Sequence, residues 1–88
     1  MAIQIQIDDD TALALFDFLS RTLDEQNGDT LQDATVHDGE LWALNTLQGV
    51  LERALTQPFK KSYRERVKAA LEVLTLKSGA WPSAIDKY

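Results

Sequence analysis

His37 is the only histidine in the chain, and Asp33, Asp38 and Glu40 lie close to it on either side. Zinc sites want several nitrogen or sulfur ligands, so one imidazole among loop acids is a poor set. A hydrolytic histidine needs an activated nucleophile and an orienting acid. The serines, Ser20, Ser62, Ser78 and Ser83, stand in no nucleophile-elbow context. Asp8-Asp9-Asp10 puts carboxylates side by side, but calcium loops space their ligands, and that spacing is absent. Adjacent aspartates suit a helix start instead, where they cap free N–H groups and face the positive end of the helix dipole. With no cysteine there is no disulfide framework, thiolate metal site or cysteine nucleophile. No glycine loop could cradle a phosphate. The expectation is a non-enzyme with no metal and no cofactor.

Lys60, Lys61, Arg64, Arg66 and Lys68 form a basic cluster. Two helices with bases on the second invite comparison with a helix-turn-helix. Pro58 lies in the connection, which is longer than the usual turn. The net charge of −5 also opposes general nucleic-acid binding. A nucleic-acid regulator using Lys60, Lys61, Arg64 and Lys68 is therefore the alternative reading. Charge is unevenly placed: residues 1–40 hold ten acids and one base, net −9, and residues 41–88 hold four acids and eight bases, net +4. Either the halves neutralise each other on folding, or they present surfaces of opposite sign to a partner or a second copy.

The elements that would carry these groups fit one domain. At 88 residues, 44% apolar and 26% charged, the chain is ordinary globular material. No leader pattern is visible, and no apolar run approaches the roughly 18–20 residues of a membrane span. A soluble, cytoplasmic protein with no membrane contact is expected.

Along the chain, Ile3, Ile5 and Ile7 alternate with Gln4 and Gln6, which predicts a strand over 1–7. Such a strand needs a partner: Thr35-Val36, Ala84-Ile85, or the same strand in a second copy. A helix over 8–26 carries Ala12, Leu15, Phe16, Leu19 and Leu23 on one stripe, and Asn27-Gly28 ends it. A polar connection over 27–39 leads to a helix over 40–56, capped by Asp38. Leu44, Leu47, Leu51 and Leu55 make its core face, and the other elements are expected to pack around this helix.

Trp42 points roughly 160° away from Leu44 on that helix, with Gly49 and Arg53 on its side. Two readings stand. Trp42 is buried by the first helix or the strand, or it is an exposed anchor for a partner. After a turn at Pro58-Phe59, Ser62 to Glu65 matches a capping box opening a helix over 62–77, and Gly79 stops it. The tail, 80–88, holds Trp81 and Ile85, either stapled to the body or part of an interface.

The order of these signals resembles that of a group of small bacterial proteins with a strand plus three-helix layout and no established activity. It rests on Ile3–Ile7, the acid-capped Asp8–Leu19 segment, Leu41-Trp42-Ala43-Leu44, Leu51-Glu52, Pro58-Phe59 and Tyr63. The resemblance implies a fold and a bacterial-type cytoplasmic setting, and no functional residue. The expected fold is α+β, mostly helical, in the order β-α-α-α: a short N-terminal strand, possible pairing of that strand across a homodimer, and a three-helix bundle. Its core should be Leu15, Phe16, Leu19, Leu44, Leu47, Leu51, Val67, Leu71 and Leu74. The leading function is a protein-interaction module, immunity- or antitoxin-like or self-associating. Its candidate interface residues are Trp42, Gly49, Arg53, Ile3, Ile5 and Trp81.

Overall fold

The computed structural model describes residues 1–55 and 62–82. Asp8, in extended conformation, caps helix α1 (Asp9–Leu19) by accepting the Thr11 N–H at 2.7 Å. That amide holds the Asp8 carboxyl below its usual pKa. The helix then widens into a π-helical turn over Ser20–Glu25, whose looser spiral carries the chain to Asn27 and Gly28. Both residues have positive φ, and Gly28 N–H donates to the Thr22 carbonyl at 2.7 Å. A 3₁₀-helix (Asp29–Ala34), helix α2 (Asp38–Ala54) and helix α3 (Tyr63–Ser78) complete the order.

The first correction concerns the N-terminus. Residues 1–8 form no strand, and no strand or sheet occurs among the described residues. The protein is helical, not α+β. Ile3 and Ile5 are 86% and 73% exposed. Alternation states which side chains share a face, but a strand exists only when a second one completes its hydrogen bonds. The Thr35-Val36 candidate is already engaged: the Val36 and His37 N–H groups both donate to the Glu40 carboxylate at the start of α2. Ala84-Ile85 lies outside the described residues, as does the Pro58-Phe59 turn.

The second correction concerns the centre. α1, not α2, is the element the rest packs on. α2 and α3 both lie against α1 and, among the described residues, do not pack on each other. α3 runs antiparallel to α1. Tyr63 at its start meets Asp17 near the end of α1, and Lys77 near its end lies 3.9 Å from the Asp8 cap. Ala12, Phe16, Leu19 and Leu51 form the buried core, with Leu23, Leu44, Leu47, Leu55 and Tyr63 packed around it. Val67 and Ala70 bury the inner face of α3. Leu15 and Leu71, expected in the core, are 37% and 49% exposed.

The caps also moved. His37, not Asp38, is the N-cap of α2. Its Nδ1 accepts the Gly39 N–H at 2.8 Å while Glu40 reaches back to the His37 N–H. This is a capping box, formed at the site where it was not expected. Ser62, where it was expected, makes no side-chain cap. Its backbone is not extended (φ −89°, ψ 16°), and its Oγ accepts from Arg66 Nε at 2.9 Å. A serine caps only from an extended backbone that turns its hydroxyl toward the free N–H groups. Gly79, at φ 82°, closes α3 with its N–H on the Thr75 carbonyl.

Candidate interaction surface

Trp42 sits one turn into α2, on the side opposite the Leu44–Leu51 face, and is 71% exposed. The reading that buries it is therefore corrected: α1 covers the leucine face, and no strand covers the other. Trp42 borders a shallow groove of about 380 Å³ whose apolar surface is Leu23, Leu41 and Trp42 itself. Asn27, Gly28, Gln32, Asp38 and Asn45 complete the wall. The Asn27-Gly28 turn makes this groove possible. Its left-handed backbone, which favours glycine at Gly28 (φ 75°), folds the 3₁₀-helix back against the π-helical turn, and Gly28 lies beside the Leu41 methyls. Asp38, at the start of α2, is the acid in this wall, and Asp29 and Asp33 are exposed on the 3₁₀-helix.

Gly49 and Arg53 continue along the Trp42 side of α2. A Cβ at Gly49 would meet only Arg53 Nη1, at 3.5 Å, so no other part of the described chain requires a glycine there. Ile3, Ile5 and Trp81 are exposed, and none of them lines the Trp42 groove. Lys60 and Lys61 lie outside the described residues. Lys68 is exposed on α3. Arg64 is engaged with Asp17, at 3.4 Å from Oδ1.

Asp17 was missed in the sequence. It is a charged residue on α1, yet only 5% exposed, because it faces the start of α3. Tyr63 Oη donates to its Oδ1 at 2.9 Å, and Arg21 Nε donates to Oδ2 at 3.1 Å. Burial, then the hydrogen bond to Asp17, pushes the Tyr63 phenol up to about 12. Asp17 and Tyr63 line a second cleft of about 520 Å³, between α2 and α3 over α1. In its wall Gln48, also buried, donates to Asp24 at 2.8 Å. The signal for Asp17 was its place: one residue after Phe16, inside an otherwise apolar stripe, with two arginines and a tyrosine elsewhere to satisfy it. These groups satisfy one another's hydrogen bonds. Among the described residues no cluster of His, Cys, Asp or Glu is placed to hold a metal ion.

No family model, curated protein or solved structure matches the chain. The surface must therefore be read from its own chemistry. No helix among the described residues is long and apolar enough to cross a membrane.

Proposed function

We propose that this chain is a non-enzymatic protein-interaction module in a cytoplasmic setting, and that the groove beside Trp42 is its binding surface. The supporting observation is the exposed indole bordering a groove that also presents Leu23 and Leu41, with Asp38 in its wall. Tryptophan is enriched among the residues that dominate binding energy, because a large rigid ring gains much buried area at little entropic cost. The Asp38 carboxylate adds selection for a basic group on the partner, and the exposed acids of the 3₁₀-helix speed the encounter. One form of this module is immunity- or antitoxin-like, the acidic side covering a basic partner.

Affinity capture from nuclease-treated lysate of the native host tests the reading. A stoichiometric protein, either another chain or an untagged copy of this one, is expected on the wild type and lost with Trp42→Ala. Equal retention by both would place binding elsewhere and refute the groove.

A further inference from the structure

Asn27-Gly28 is the sole Asn-Gly pair of the chain, and both residues hold positive φ just beyond the π-helical turn. An asparagine amide that precedes glycine is open to attack by the glycine's backbone nitrogen, because no Cβ stands in the way. The nitrogen must first give up its proton. It then bonds to the asparagine Cγ, the side-chain nitrogen leaves as ammonia, and a five-membered succinimide forms. Water opens either ring carbonyl, leaving aspartate or β-linked isoaspartate. No electrons are exchanged, and water is the only reactant added.

The fold treats the two partners in this reaction differently. The Asn27 side chain is exposed, so its amide is within reach of solvent. Gly28 is buried, and its N–H donates to the Thr22 carbonyl at 2.7 Å. Thr22 is itself 6% exposed, and its hydroxyl donates to the Phe18 carbonyl at 2.8 Å. On either side, the Asp29 N–H donates to the Gln26 carbonyl at 2.9 Å and the Leu31 N–H to the Gly28 carbonyl at 3.0 Å. A buried amide held in this way loses its proton to base only when the segment opens.

We infer that Asn27 is a self-deamidation site held in check by the Gly28–Thr22 hydrogen bond, its rate set by how often that turn opens. Asn27 and Asp38 both line the Trp42 groove, so each conversion puts a second carboxylate in that wall. Isoaspartate also adds a carbon to the main chain where it enters the 3₁₀-helix. The inference stands on the turn and is independent of what the groove binds.

The full chain is incubated at mildly alkaline pH, native and in guanidinium chloride, and the mass gain of amide to acid is located by fragment spectra. Conversion at Asn27 is expected in both, slower in the native chain by about tenfold or more. Hydrogen exchange at the Gly28 amide should be slowed by the same factor, within about threefold, because both reactions need the same proton released. Asn27→Gly, which keeps a residue suited to the left-handed turn, should abolish the gain with circular dichroism unchanged. Equal rates in the native and denatured chains would overturn the check by the fold. Slow conversion beside a freely exchanging Gly28 amide would overturn the Thr22 bond as the gate. A gain at Asn45 with Asn27 intact would overturn the site.

Discussion

The Tyr63 hydroxyl donates to Asp17 Oδ1 across 2.9 Å, and this bond ties the first turn of α3 to the end of α1. It joins residues 46 positions apart in the chain. Arg21 and Arg64 add charge to the same carboxylate from either side. A buried carboxylate is tolerated only when such partners replace the water it has lost. The group is therefore a structural clamp, and its members depend on one another.

Removing the carboxylate should cost more than removing the hydroxyl. Tyr63→Phe is expected to lower stability by about 1–2 kcal/mol, the cost of one charge-assisted hydrogen bond. Asp17→Ala should cost about 3 kcal/mol, since it strands the phenol and frees two arginines. Denaturant unfolding of both single variants and the double variant should show a coupling of about 1 kcal/mol, the double costing less than the sum. A purely additive result would mean the clamp is not cooperative.

The same bond predicts a loss of stability at high pH. The phenol of Tyr63 is pushed up to about 12 in the fold, against 10.0 for an ordinary tyrosine, so the folded state holds the proton more tightly. Its contribution is fully present below pH 10 and is lost as pH rises through about 12, because the unfolded chain gives up the proton first. Tyrosinate absorbance at 295 nm should show a late-titrating group that disappears in Tyr63→Phe.

At the helix starts, structure and sequence pattern predict opposite rankings. Glu40 receives the Val36 and His37 N–H groups, so Glu40→Ala should lower stability by about 1 kcal/mol. Ser62→Ala removes a hydroxyl that caps nothing and bonds only the exposed Arg66 side chain, so it should change stability by less than about 0.5 kcal/mol. Thermal melts of the two variants decide the ranking.

Gly49→Ala is expected to stabilise the chain. The position is helical, and the added methyl meets only the end of a flexible arginine at 3.5 Å. The gain should be about 0.5–1 kcal/mol from helix propensity and a less disordered unfolded state. A destabilised variant would show that the position is more crowded than the described residues make it.

Particular residues show how far the sequence reached. The leucine repeat from Leu44 to Leu55, the Phe16–Leu19 stripe, the aspartates before α1 and the stop at Gly79 were legible because each depends on neighbours within a turn or two. The helical segments follow from such local terms: periodicity, capping chemistry and backbone freedom. The N-terminal alternation was misread for the opposite reason. Ile3, Ile5 and Ile7 specify a strand only if another segment supplies hydrogen bonds, and that supply is a property of the whole fold. Asp17 is the same lesson at a single side chain. Its burial depends on Tyr63 and Arg64, brought alongside by the antiparallel packing of α1 and α3, and its apolar neighbours and Arg21 one turn on hint at a buried carboxylate without naming those distant partners. The exposure of Trp42 was also decided at this level. Its direction away from Leu44 was set by helix geometry, but whether anything stood there depended on which helix became the centre. α1 took that place, α2 and α3 were left apart, and the indole stayed open to solvent.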